Sequence, residues 1–122
     1  MALVERADHY RLHAEVCKVL TEPKRIALLD ALRLGERSVG ELANCVGVSL
    51  PNASQHLGVL RAAGLVETRR VGTSVRYRLA EPAIVEACAV IDRIIERRLA
   101  VARLMTRTED ATASHVAGNA VA

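Results

Sequence analysis

The chain has 122 residues, which suits one compact domain, and its net charge is +3. About half of the residues are hydrophobic, yet only Tyr10 and Tyr77 are aromatic. Proteins that bind single-stranded nucleic acid stack bases on aromatic side chains, so this composition disfavours that class. Charged residues near the N-terminus indicate no secretion signal, and no run approaches the ~20 apolar residues of a membrane span. We therefore expect no membrane partner. The odd number of cysteines, three, favours the reducing cytoplasm.

Two helices are predicted before residue 36. Glu5–Leu20 carries an apolar stripe, and Lys24–Leu34 is apolar around most of its circumference. Thr21 is expected to cap the second helix, with Pro23 in its first turn. The second helix should therefore be the buried one, ending at Gly35.

A helix, a tight turn and another helix are predicted next. Ser38 and Glu41 have the spacing of a capping box, and Gly47 can adopt the positive φ that ends a helix. Ser49 is expected to cap the following helix, with Pro51 in its first turn, and Gly64 ends it. Its apolar face is predicted to comprise Leu50, Ala53, Leu57 and Leu60, and its polar face Asn52, Gln55 and His56, with Ser54 and Arg61 at the flanks.

A two-stranded hairpin follows. Residues 65–71 and 74–79 alternate and are rich in β-branched side chains, and Gly72-Thr73 between them predicts a turn. The fold class is therefore mainly α with a small β-hairpin, a winged helix-turn-helix in the order α-α-α-α-β-β-α. In that fold the second helix of the pair enters the major groove of duplex DNA, and the hairpin, or wing, reaches the flanking backbone or minor groove.

Positive charge is concentrated on these elements. Residues 49–79 contain five arginines and one acid, a net charge of +4, which leaves −1 for the rest of the chain. Solvated hairpin arginines are the alternative explanation, but such clustering favours contact with phosphate. The predicted DNA-binding residues are Ser49, Asn52, Ser54, Gln55, His56, Arg61, Arg69, Arg70, Thr73, Ser74 and Arg76.

A long last helix is predicted from Glu81-Pro82 to about Met105. Residues 106–122 are small and polar without a period, so we expect a disordered tail after a 1–105 domain. The first and last helices have more apolar surface than the small core can cover. A homodimer through these two helices would cover it and place two recognition helices ~34 Å apart.

The chain also resembles a known family. Leu20–Ile26 looks like the opening motif of the ArsR/SmtB repressors, and the runs 38–43, 52–57, 60–66 and 72–79 continue the likeness. The resemblance covers roughly residues 15 to 95. It implies a homodimeric bacterial repressor that holds operator DNA until an inducer, often a metal ion, lowers its affinity.

The family's sensor positions do not carry over. The thiolate metal site corresponds to Ser38 and Gly40, the metal site of the last helix to Glu81, Ala83, Ile94 and Arg97, the cadmium-type pair to Val59 and Ala63, and the persulfide pair to Asp30 and Glu96. No cofactor therefore follows from the resemblance, and a metal ion or metalloid would need a new site.

Three other residues could bind a soft ion. His9, His13 and Cys17 follow one another at four-residue steps on one side of the first helix. Steps of ~6 Å are too long for all three to hold one ion, but a neighbouring pair could do so with ligands from a partner subunit. The alternative is that the histidines line the dimer seam or face solvent.

Cys17 and Cys88 lie on the two helices predicted to dimerise, so they are the candidate effector or redox pair. The simpler interpretation is that Cys88 packs as a small hydrophobic side chain.

Catalysis finds no support, because no nucleophile has a neighbouring base and no glycine loop could cradle phosphate. An enzyme is not expected. The alternative to a repressor is a protein-interaction module that uses a winged helix as a dimer scaffold and does not bind specific DNA.

Overall fold

The computed structural model describes the backbone of residues 6–121 and the side chains of residues 6–111. Within that range the helices are α1 (Ala7–Val19), α2 (Pro23–Ala31), α3 (Val39–Val46), α4 (Leu50–Ala62) and α5 (Ala83–Val121). The strands are β1 (Arg37–Ser38), β2 (Val66–Val71) and β3 (Ser74–Leu79). The predicted winged helix-turn-helix class is confirmed. The chain divides after Glu86 into two compact units, and the winged helix lies in the first.

The core of the first unit is built from leucine. Leu28 and Leu29 of α2, Leu42 of α3, and Leu57 and Leu60 of α4 are each at most 1% exposed. They form one cluster with Leu65 and Val66 at the start of the hairpin, and Ile84 packs against it. Because all of these side chains are aliphatic, the core has the composition that the scarcity of aromatic residues predicts.

The predicted helix ends are confirmed at α3 and α4. The Glu41 amide donates to Ser38 Oγ over 3.2 Å, and the Ser38 amide donates to Glu41 Oε1 over 3.4 Å, which completes the capping box. Gly47 ends α3 with φ of +74°, in the left-handed region that glycine adopts without strain. Ser49 then caps α4 by accepting a 3.2 Å hydrogen bond from the Asn52 amide.

Two details of the predicted helices are wrong. Glu22, not Thr21, caps α2, because the Thr21 hydroxyl donates to the Lys18 carbonyl and closes the last turn of α1. α2 ends at Ala31 rather than Leu34, and Leu34 is 81% exposed in the turn that follows. The predicted apolar face of α4 is not buried along its whole length, because Leu50 is the first residue of the helix and is 52% exposed.

The sheet has one strand more than the sequence predicts. Its order is β1-β3-β2, and both pairings are antiparallel. β1 pairs Arg37 with Tyr77 and Ser38 with Arg76, and the Arg37 guanidinium donates to the Ala31 carbonyl over 2.9 Å. β1 was missed because two residues are too few to show the alternation that identifies a strand.

The last helix is longer than predicted. α5 does not end near Met105 but continues through Val121, so helical backbone replaces the disorder predicted over residues 106–121. Whether these residues act as a separate tail remains a prediction. The predicted start of the first helix at Glu5 lies outside the described residues, as does Ala122. No helix between residues 6 and 121 is both long and apolar enough to cross a bilayer.

Truncating a buried leucine of α4 should destabilise the fold. Leu57→Ala removes a side chain with no exposed surface, and we expect the free energy of unfolding to fall by about 2–5 kcal/mol. Leu50→Ala, at a half-exposed position of the same helix, should change it by about 0.5 kcal/mol or less. Urea denaturation at fixed protein concentration measures both. Equal losses would contradict this assignment of the core.

Candidate DNA interface

The core side chains of α4 decide which of its residues face outward. Ala53, Leu57 and Leu60 are fully buried, so the opposite side of the helix is open. Ser54 and Gln55 are exposed there, as the sequence predicted. Gly58 lies one turn after Gln55, and a Cβ added at Gly58 would meet no heavy atom within 4 Å. α4 therefore presents one amide and one hydroxyl beside a shallow stretch of backbone, a surface that suits close approach to base edges. Sequence reasoning missed Gly58.

Asn52 and His56 lie at the side of this surface rather than on it. Both are half-buried and line an open cleft of about 460 Å³ together with Glu22, Lys24 and Ser49. The Oδ1 atom of Asn52 is shielded from solvent and has no hydrogen-bond partner within the described part of the chain. The structure thus separates these two predicted contacts from Gln55.

An arginine of α2 holds the ring of His56. Arg25 Nη1 lies 3.4 Å from His56 Nδ1, and Arg25 Nε donates to the Val19 carbonyl over 2.6 Å. Because a guanidinium only donates, this contact needs Nδ1 as the acceptor, which the tautomer with its proton on Nε2 provides. In that tautomer His56 offers an N–H donor from its other nitrogen. Arg25 was part of the family motif, but the sequence did not indicate this contact.

The two faces of the hairpin carry different chemistry. The pairing register places Glu67, Arg69, Arg76 and Arg78 on one face. The other face begins with Val66, Tyr77 and Leu79, which pack into or against the core, and ends with exposed Arg70. Gly72, Thr73 and Ser74 form the exposed tip, where Gly72 has φ of +62°. Arg70 therefore lies on the opposite face from Arg69 and Arg76.

Most of the wing arginines form ion pairs with carboxylates of this chain. Arg69 donates to both carboxylate oxygens of Glu36, over 3.0 and 2.7 Å, and Arg76 donates to Glu41 over 3.0 Å. Arg78 pairs with Glu67 over 2.5 Å and lies 3.8 Å from Glu36. By contrast, neither Arg61 nor Arg70 makes an ion pair with any residue in the range 6–111. Of the arginines predicted to contact phosphate, only these two are unengaged.

These ion pairs shift the ionisation of the acids. The hydrogen bond from Arg69 is the main cause that lowers the pKa of Glu36, and the charges of Arg69, Arg78 and Arg76 add to it. The Ser38 backbone amide is the main cause that lowers the pKa of Glu41, followed by the Ser38 hydroxyl and Arg76. The pKa of Arg69 is raised by Glu36. All three groups are therefore charged at neutral pH.

The predicted metal and thiol residues belong to α1 and α5, and not to the helices and strands that form this interface. The rings of His9 and His13 are 6.5 Å apart in an edge-to-face arrangement. No group of three or more His, Cys, Asp or Glu residues that could hold a metal ion occurs among the residues that the structure describes. Cys17 and Cys45 are exposed thiols, and Cys88 is half-buried. A shared ion at His9, His13 or Cys17 would therefore need ligands beyond the described residues of this chain.

The lowered pKa values of Glu36 and Glu41 predict a loss of stability in acid. Their ionised forms favour the folded state above the ordinary glutamate pKa of about 4.3, and this contribution is lost as the pH falls through their lower folded-state values. The double variant Glu36→Gln/Glu41→Gln should therefore lose less stability between pH 6 and pH 3 than the wild type. Gln at position 41 keeps the capping box. Denaturation at each pH, in low and high salt, measures the difference, and parallel curves for the two proteins would contradict the prediction.

Comparisons with known proteins agree with this architecture. Residues 20–69 match the model of a helix-turn-helix domain. The chain is 46% identical over 97 residues to the uncharacterized HTH-type transcriptional regulator Rv0081 of Mycobacterium tuberculosis, which covers 79% of this chain and 85% of the relative. It is 48% identical over 68 residues to the biofilm growth-associated repressor of Xylella fastidiosa, over 56% of this chain and 60% of that protein.

A solved structure shows the same fold. The homodimeric winged helix-turn-helix DNA-binding domain Mb0332 from Mycobacterium bovis, described as a possible ArsR-family transcriptional regulator, superposes with a TM-score of 0.69. It is 35% identical, over 77% of this chain and 87% of the domain. Together with the motifs of the sequence, these likenesses show that the chain belongs to the ArsR/SmtB family of winged helix-turn-helix transcriptional regulators.

Proposed function

We propose that the protein is a homodimeric repressor that binds operator DNA through α4 and the wing, and not an enzyme. The exposed surface formed by Ser54, Gln55 and Gly58, held in place by the buried side of α4, is the observation that supports this most directly. A glutamine amide can donate to and accept from an adenine edge in the major groove. Arg61, Arg70 and the hydroxyls of Thr73 and Ser74 are exposed and would contact the flanking phosphates. Ser49, Asn52 and His56 would contact DNA from the cleft beside α4.

Dimerisation is supported by apolar surface that the chain leaves uncovered. α1 contains no buried residue, and its Tyr10 and Leu12 are about half-exposed. α5 exposes a longer series of large apolar side chains: Val90, Ile91, Ile94, Ile95, Leu99, Val101, Leu104 and Met105. Such continuous apolar surface indicates a protein partner. The Mycobacterium bovis relative is described as homodimeric, and a second copy of this chain is the partner that we infer.

The proposed site of action is the cytoplasm. The exposed thiols of Cys17 and Cys45 fit a reducing compartment, where they would stay reduced. The Xylella fastidiosa relative is named a repressor, which supports repression as the direction of control.

Replacing the outward amide of α4 should change sequence recognition. Gln55→Ala is expected to cost about 1–3 kcal/mol at particular base pairs of the operator and little elsewhere. Arg70→Ala, the control, should weaken binding to all duplexes and reduce the salt slope by about one. Fluorescence anisotropy titrations against the promoter region, single-base operator variants and random duplex measure both. Equal wild-type affinity for promoter and random duplex would refute the repressor hypothesis. It would favour the alternative, a protein-interaction module that does not bind specific DNA.

The release of DNA is proposed to depend on thiols. Since the family's metal positions are vacant, an oxidant or thiophilic ion would act through Cys17 and Cys88, which lie on the two helices proposed to dimerise. A bond between subunits there would change the spacing of the recognition helices.

The expected result is that zinc, arsenite or a mild oxidant weakens operator binding by the wild type but not by Cys17→Ser/Cys88→Ser. Cys45→Ser is the matched control, because it removes an exposed thiol outside those helices. An unchanged response in the double variant would show that the two cysteines only pack.

A further inference from the structure

The wing contains more arginine than it can offer to DNA. Its two strands carry Arg69, Arg70, Arg76 and Arg78, and three of the four guanidinium groups face a carboxylate within 3.0 Å. Two of the three acids, Glu36 and Glu41, come from outside the hairpin. The charge concentrated in residues 49–79 is thus compensated by acids that precede them in the chain.

The backbone positions these two acids beside the arginines of the wing. Glu36 immediately precedes β1, and β1 is hydrogen-bonded to β3, so Glu36 is held at the edge of the wing on the face that bears Arg69. Glu41 is fixed in the first turn of α3 by the capping box with Ser38, and Ser38 pairs with Arg76 in the sheet. Neither carboxylate depends on a flexible loop for its position. The Glu36 side chain is also the less exposed partner, at 26% against 54% for Arg69.

We propose that Glu36 and Glu41 set how strongly the wing binds phosphate: they neutralise Arg69 and Arg76, so that the wing binds phosphate mainly through Arg70. This inference rests on the proposed DNA-binding function.

The physical argument is a competition between two anions for one cation. A phosphate oxygen that reached Arg69 would have to break a two-pronged bond to Glu36 and would leave that carboxylate unpaired next to a polyanion. The gain from the new phosphate contact is nearly cancelled by these two costs, so Arg69 contributes little to affinity. Arg70 has no such partner, and its contact releases counterions in full. Limiting phosphate contacts in this way weakens binding to every sequence by the same factor and makes binding less sensitive to salt.

The test is the salt dependence of binding to random duplex and to promoter duplex, measured by anisotropy. Glu36→Gln should tighten binding to random duplex several-fold at low salt and steepen the slope of log K against log[salt] by about 0.9 for each protomer, because Arg69 becomes available. The ratio of promoter to random affinity should stay near the wild-type value, because a phosphate contact strengthens binding to both duplexes alike. The double variant Glu36→Gln/Arg69→Gln should return the slope to the wild-type value.

Two controls separate this effect from a general change in charge. Asp30→Asn removes the same charge and frees Arg33, which pairs with Asp30 on α2 at 3.5 Å, and it should leave the slope as in the wild type. In the wild-type background Arg69→Gln should change the slope much less than Arg70→Gln. This second comparison needs no change to Glu36, so it decides the matter even if Glu36→Gln perturbs the fold.

The outcomes distinguish this inference from the function on which it rests. A wild-type protein without salt-dependent binding to duplex DNA would refute the repressor itself. If the wild type binds but Arg69→Gln lowers the slope as much as Arg70→Gln, the acids do not neutralise the wing. An unchanged slope in folded Glu36→Gln would refute it equally.

Discussion

The position of α4, the proposed recognition helix, depends on one packing interaction. Leucines from three helices pack against each other beneath it. Leu57 and Leu60 of α4 have no exposed surface, and neither do Leu28 of α2 and Leu42 of α3. Because branched aliphatic side chains at native density leave little room to shift, α4 can rotate only if this cluster is disrupted. The orientation of Gln55 toward solvent is therefore set on the opposite side of the helix. A substitution in this cluster can therefore misplace the residues that we propose to contact DNA.

The wing depends on a different kind of interaction. Its inner end is fixed by Val66, Tyr77 and Leu79 in or against the core, while its outer part extends into solvent. Beyond the core, the β1–β3 pairing and the ion pairs to Glu36 and Glu41 hold the wing. Exposed ion pairs contribute little free energy and weaken in salt. Their importance lies in direction, because the strand register sets the face of each arginine and the ion pairs then orient its guanidinium group.

The sequence predicted those features that a local pattern determines. Ser38 with Glu41 and Gly47 marked both ends of α3, and Gly72-Thr73 marked the hairpin turn. It did not predict contacts between segments that are distant in the chain. Arg69 and Glu36 are separated by 33 residues, and Arg25 and His56 by 31. Clustered arginines look alike in a sequence whether or not an acid faces them. Helical periodicity likewise placed Asn52 and His56 beside Gln55, because it contains no information about the approach of α2.

The nearly complete absence of aromatic residues has a practical consequence. With no tryptophan or phenylalanine, all intrinsic ultraviolet fluorescence comes from two tyrosines in different surroundings. Tyr77 packs against the core where the sheet begins, whereas Tyr10 is 47% exposed on α1 beneath the Arg6 guanidinium. Replacing either ring by phenylalanine would leave a single natural fluorophore. One such protein would report on the attachment of the wing and the other on the surface of the first helix, without an added dye.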